Sequence, residues 1–84
     1  MHFILYSRSY CHLCQDMLDA LLALRTPELP FTVDVIDVDA DPALVARFDE
    51  LVPVLFAGGE QLCHYFLDEP KVLSTLRAAS SGSR

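Results

Sequence analysis

The sequence predicts an α/β chain: one four-stranded mixed sheet flanked by helices, in the order β-α-β-α-β-β-α. Three observations carry that expectation. Short apolar runs alternate with amphipathic stretches through the first half, the pattern of a βαβ unit with a right-handed crossover. Gly58-Gly59 then separates two further strand-like runs, which reads as a hairpin. Finally, 84 residues with 52% hydrophobic content suit one domain with material for a core, and there is no internal repeat.

The first element is Phe3-Ile4-Leu5-Tyr6, a continuous apolar run that suits a central strand covered on both faces. The polar stretch Ser7-Arg8-Ser9-Tyr10 leads out of it. Cys14, Met17, Leu18, Leu21 and Leu22 then recur at helical spacing, with Asp16 and Asp19 on the other side. This helix runs from Leu13 to about Leu24, and Thr26-Pro27-Glu28-Leu29-Pro30 stops it.

Phe31 to Val38 is rich in β-formers. Val33 and Val35 alternate with polar neighbours, but Ile36 and Val38 shift the phase by one. That shift fits either a bulge or burial of both faces near the strand's end. Asp41 as N-cap and Pro42 at the first helical position open the second helix, with Leu44, Val45, Phe48 and Leu51 as its inward stripe.

Val52 to Phe56 forms a strand that begins at Pro53, and Gln61 to Phe66 returns beside it. Asp68-Glu69-Pro70 caps a last helix whose inward residues are Val72, Leu73, Leu76 and Ala79. The domain is expected over residues 1–79, with 80–84 as a flexible tail too poor in apolar surface to fold.

Charge and composition narrow the classes of partner. A formal net charge of −6 argues against nucleic acid and anionic membranes. No run approaches the length of a membrane span, and Met1 to Tyr6 lacks the basic start of a secretory leader. The expectation is a cytoplasmic monomer without a standing structural disulfide. Three cysteines, an odd number, also suit a staple framework poorly.

The chemistry points to Cys11-His12-Leu13-Cys14, two thiols three residues apart between the first strand and the first helix. A thiol at a helix start faces unpaired N–H groups and the positive end of the helix dipole. Both favour the thiolate, and cysteines activated in such motifs have pKa values of roughly 3.5 to 7.5, against about 8.5 for a free thiol. The second thiol, one turn further on, can close a disulfide with the first. In a βαβ setting the spacing reads as a dithiol/disulfide redox centre. Half a zinc site is the competing reading. A closed site needs four ligands, and the remaining adjacent pair, Cys63-His64, is poorly spaced for it.

These features together resemble the thioredoxin fold and, within it, the glutaredoxin family. Ser7-Arg8-Ser9-Tyr10-Cys11-His12-Leu13-Cys14 is similar to the family's S-K-S-x-C-P-Y-C stretch, with Arg in place of Lys. Val52-Pro53 stands where the family has a Val followed by a cis-proline, and Asp68 falls near its acidic residue after the last strand. The resemblance spans residues 3 to about 79. The family's Pro-Tyr between the cysteines is His12-Leu13 here, so its redox potential does not carry over. The Gly-Gly that receives glutathione falls, by count, at Cys63-His64.

The resemblance implies a thiol-disulfide oxidoreductase in which Cys11 attacks a substrate disulfide and Cys14 resolves the mixed disulfide. It implies a substrate groove shaped by Val52 and Pro53, with Val52 pairing its backbone to a peptide or to glutathione. Arg8 supplies a positive charge beside Cys11 or a clamp for a substrate carboxylate; the plain alternative is an exposed loop arginine. His12, when protonated, adds charge near the same helix end, while Asp16 opposes it. Tyr10 lines the groove or packs at its shoulder. Cys63 reads as a third redox thiol, a glutathionylation site or a dimer link, or else as a small buried hydrophobe.

The resemblance further implies no bound organic cofactor and no metal. Glutathione is the implied reductant, with thioredoxin reductase as the alternative donor. The partner is a disulfide-containing protein or a glutathione mixed disulfide. Two rivals stand beside this expectation: a non-catalytic binding module on the same fold, and a metal or iron–sulfur carrier acting through Cys11.

Overall fold

The computed structural model describes residues 1–81. Four strands and three helices follow the expected order: β1 (His2–Ser7), α1 (His12–Ala23), β2 (Thr32–Asp37), α2 (Pro42–Phe48), β3 (Val54–Ala57), β4 (Glu60–His64) and α3 (Glu69–Ser81). The strands form one mixed sheet in the order β2-β1-β3-β4. β1 and β2 run parallel across the α1 crossover, while β1–β3 and β3–β4 are antiparallel. No helix among the described residues is long and apolar enough to cross a membrane. Residues 82–84 of the expected tail lie outside the described residues.

The continuous apolar run of β1 follows from its place inside the sheet. Phe3 and Leu5 point into a cluster with Met17 and Leu21 of α1 and Val72 and Leu76 of α3. Their neighbours Ile4 and Tyr6 pack on the opposite cluster, with Val38 and Phe48. β3 divides the same way: Leu55 and Ala57 join the first cluster, Val54 and Phe56 the second. So α1 and α3 cover one face and α2 covers the other, and both central strands need apolar side chains at every position. Tyr6 stacks on Phe48 at 4.6 Å between ring centroids and meets Phe56 edge-on at 5.5 Å. Tyr6 thus serves packing, and each such pair contributes about 0.5–1.5 kcal/mol beyond its buried area.

The caps are those the residues call for. Asp41 Oδ1 accepts the N–H of Ala43 at 2.9 Å, and Pro42 occupies the first turn of α2. Asp68 Oδ1 accepts the N–H of Lys71 at 3.2 Å at the start of α3. At the hairpin, Gly58 and Gly59 adopt φ of 58° and 80°, as a two-residue turn of mirror-image type requires. Nothing lies near a Cβ built at either position, so the backbone conformation and not the space selects glycine there.

Four details differ from the sequence expectation. The phase shift at Ile36–Val38 is neither a bulge nor two-faced burial of a strand. β2 pairs with β1 in unbroken register and ends at Asp37, and Val38 is buried from a short 3-10 turn, Val38–Ala40, capped by the Asp37 carboxylate. Val35 is half exposed because β2 is an edge strand. Leu51 lies beyond the end of α2 and is exposed, outside the inward stripe.

The fourth difference is a bulge in β4. Gln61 pairs with Phe56 and Cys63 with Leu55, which leaves Leu62 as an extra residue. Leu62 and Cys63 therefore both pack on the α1/α3 cluster, where strict alternation would have parted them. β4 ends at His64 because Tyr65 turns into the left-handed region, at φ 64°.

Candidate active site

β1 delivers the chain to the C-terminal end of the sheet, and the Ser7–Tyr10 segment turns it into α1. Tyr10 makes that turn with φ 60° and stands fully exposed. Cys11 follows in extended conformation as the N-cap of α1. Its Sγ accepts the backbone N–H of Cys14 at 3.1 Å. A cap acceptor is ordinarily an oxygen of Ser, Thr, Asp or Asn. Here the sulfur fills the role, and a thiolate fills it better than a thiol because negative charge at this helix end meets donated N–H groups.

Cys11 and Cys14 are joined as a disulfide, with Cα atoms 5.2 Å apart. That separation lies inside the range a disulfide spans without backbone movement. Cys11 is half-buried and Cys14 is buried. The outer sulfur is thus the more accessible to solvent, and the inner one is shielded.

Val52-Pro53 is a cis peptide immediately ahead of β3. Pro53 is fully buried and Val52 is half-buried. Tyr65 holds this loop from the β4 side. Its N–H donates to the carbonyl of Pro53 at 2.8 Å and its hydroxyl donates to the carbonyl of Glu50 at 2.6 Å. Sequence reasoning passed over Tyr65. A tyrosine at a left-handed position carries no local signal, and its partners are remote in the chain.

Arg8 is where the sequence placed it, at the end of β1, but its charge is committed. The guanidinium pairs with Asp49 at 3.0 Å and Asp39 at 3.1 Å and donates to the carbonyl of Asp49 at 3.2 Å. One cation faces two carboxylates, so this corner carries net negative charge. The arginine ties β1 to the 3-10 turn and to the end of α2.

A cleft of about 360 Å³ beside the disulfide brings Arg8, Tyr10, Cys11, His12 and Cys14 together with Gln15, Leu18 and Val35. Val52 and Pro53 do not line it; they stand immediately ahead of β3, the strand between β1 and β4. A separate groove of about 250 Å³ runs between Leu13 and Met17 of α1 and Tyr65, Phe66 and Leu67. His12 is exposed at the first position of α1.

Cys63 sits in β4, half-buried against the α1/α3 core. Burial pushes its thiol pKa up, and a hydrogen bond from the Asp68 backbone N–H offsets only part of that. Its surroundings are those of a small hydrophobe. The left-handed residue that would suit glycine is Tyr65, one place beyond the Cys63-His64 pair reached by counting. Among the described residues, no group of three or more His, Cys, Asp or Glu side chains converges as a metal site.

A four-stranded mixed sheet between helices, with a C-x-x-C at the start of the first helix and a cis-proline ahead of the third strand, defines a thioredoxin-fold protein. The family model of the glutaredoxin-like domain (DUF836) matches residues 2–77, and the chain belongs to that family. No curated protein matches the chain. Among solved structures it is similar to structural-genomics target protein XcR50 of X. campestris, with 30% identity and a TM-score of 0.68 over 90% of this chain and 96% of that one. It is also similar in fold to thioredoxin 1 of Thermosipho africanus, with 17% identity and a TM-score of 0.63 over 96% of each chain. A buckwheat glutaredoxin–glutathione complex shares 19% identity and a TM-score of 0.55 over 93% of this chain and 70% of that one. The expected fold and family are both borne out.

Proposed function

We propose that the protein is a thiol-disulfide oxidoreductase that works through the Cys11–Cys14 dithiol. The observation that carries this reading is the cap bond from the Cys14 N–H to Cys11 Sγ, on a sulfur already within disulfide reach of its partner. The same bond that caps α1 stabilises the attacking thiolate. In the reduced protein Cys11 attacks a substrate disulfide and forms a mixed disulfide. The Cys14 thiolate then attacks Cys11 Sγ, releases the second substrate thiol and closes the Cys11–Cys14 disulfide. A thiol donor returns the pair to the reduced state: glutathione, which the family resemblance implies, or a dithiol supplied through thioredoxin reductase.

Val52 ahead of Pro53 supports an extended substrate beside Cys11, by backbone pairing. The substrate is a disulfide-bearing protein or a glutathione mixed disulfide. A net charge of −6 supports neither nucleic acid nor an anionic membrane as a partner. The setting we propose is the cytoplasm, with the chain acting as a monomer.

The test is to count thiols by alkylation and intact mass across a glutathione redox series. One two-electron transition that removes two thiols, with Cys11 and Cys14 joined in the product, is the expected result. A lasting single glutathione adduct on Cys11 would replace the dithiol mechanism with a one-thiol mechanism. No change at any poise would overturn the reading.

A further inference from the structure

We infer that the disulfide this site reduces belongs to an extended polypeptide with apolar and basic side chains beside its cysteine, in preference to anionic glutathione. The inference rests on the redox reading above and specifies its substrate.

The groove between α1 and the Tyr65–Leu67 segment carries the argument. Its walls are Leu13, Met17, Tyr65 and Phe66, with Asp16 and Glu69 also lining it. Leu13 lies inside the C-x-x-C itself, so the groove starts within two residues of Cys11. Phe66 is 70% exposed, and Leu13 and Tyr65 are each more than a third exposed. Single exposed apolar residues are ordinary, but a contiguous set at a reactive centre marks a binding surface. The bond from the Tyr65 N–H to the Pro53 carbonyl joins this groove to the loop that offers Val52. A peptide paired along that loop runs on beside Tyr65 and Phe66.

Charge selects among the peptides. The acidic side chains Asp16 and Glu69 give the groove its charge, and among the described residues no Lys or Arg lines it. In the cleft beside the disulfide, the lining Arg8 is already outweighed in charge by Asp39 and Asp49. Arg25 and Arg47 lie elsewhere, against Phe31 and against Phe48 and Phe56. Neither hollow thus offers a free Lys or Arg to the carboxylates of glutathione. A peptide that seats an apolar side chain on Leu13 and Phe66 brings a neighbouring Lys or Arg toward Asp16 and Glu69.

The step balances without a further reactant. The Cys11 thiolate bonds to one sulfur of the peptide disulfide, and the other sulfur leaves as a thiolate that takes a proton from water. Cys14 gives its proton to water and attacks Cys11 Sγ. The mixed disulfide breaks, the second peptide thiol leaves and takes up a proton, and two electrons have passed to the peptide.

The test uses the full chain, reduced and freed of reductant. Closure of the Cys11–Cys14 disulfide is followed by alkylation and intact mass with four oxidants. These are a disulfide-linked Leu-Cys-Arg peptide, the same peptide with Glu for Arg, glutathione disulfide, and the neutral bis(2-hydroxyethyl) disulfide. The basic peptide should react ~10-fold or more faster than glutathione disulfide at low ionic strength, the scale of electrostatic steering. Salt should narrow that gap. In an Asp16→Lys, Glu69→Lys variant, the ratio of basic-peptide to acidic-peptide rates should invert.

Glutathione disulfide reacting as fast as the basic peptide would overturn the inference and leave the redox reading standing. A ratio unmoved by the double variant would do the same. If the variant does not fold, the salt series on the unaltered chain decides. Failure of all four oxidants, the neutral one included, would overturn the redox reading itself.

Discussion

The hydroxyl of Tyr65 donates to the carbonyl of Glu50 at 2.6 Å, while its own N–H donates to the carbonyl of Pro53 at 2.8 Å. One residue thus fastens both ends of the loop that holds Val52 and the cis-proline. Tyr65 does so from a left-handed backbone conformation that costs a side-chain-bearing residue about 1–2 kcal/mol. Tyr65→Phe keeps the ring and removes one bond. It should lower stability by about 0.5–1.5 kcal/mol, toward the low end because the bond is exposed to water. Urea midpoints of the variant and the unaltered chain, at equal slope, check this.

Cys11 has a structural role that serine can fill and alanine cannot, since its Sγ caps α1. Cys11→Ser should abolish disulfide reduction but retain the cap. Cys11→Ala should abolish reduction and also lose about 1 kcal/mol relative to Cys11→Ser. Both are measured by urea unfolding under reducing conditions. Equal stability of the two variants would remove the cap from the account.

The same cap bond bears on reactivity. In the reduced protein, Cys11 should alkylate with a pH midpoint below the value of about 8.5 for a free thiol. Iodoacetamide rates read by peptide mass at Cys11, from acid to alkaline pH, give that midpoint directly. A midpoint at or above the free-thiol value would remove the thiolate stabilisation from the mechanism.

Cys63 behaves in the opposite sense, because burial raises its pKa. At neutral pH it should alkylate more slowly than Cys11. The folded state holds this proton more tightly than the unfolded chain does. The associated stability is therefore whole below the unfolded thiol's pKa and is lost as pH rises through the folded value. Cys63→Ala should retain turnover and remove that alkaline loss, which thermal unfolding across alkaline pH reports.

Arg8→Gln should lower the melting temperature, since Asp49 and Asp39 lose their shared cation at the junction of β1, the 3-10 turn and α2. The loss should lessen as salt is added, because these exposed groups are screened. Cys11 alkylation should change little, because the two aspartates already offset the charge of Arg8. A large fall in Cys11 reactivity would restore Arg8 as the charge that sustains the thiolate.

How much of this was legible before the fold was known depended on how local the cause was. The helix starts at Asp41 and Asp68, the Gly58-Gly59 turn and the stripe from Cys14 to Leu22 are set by neighbours within a turn or two. The sequence by itself therefore determined the order of elements, the sheet-and-helix class and the place of the C-x-x-C. The tertiary structure alone decided the rest. Arg8 finds Asp49 across a separation of 41 residues, and no local pattern reveals that its charge is taken. The Leu62 bulge arises from pairing with β3, and Tyr65 becomes a fastening residue only when β4 brings it beside the Glu50–Pro53 loop. Residue types and short spacings dictate hydrogen bonds made along the chain. Bonds made across it exist only after the sheet has chosen its partners.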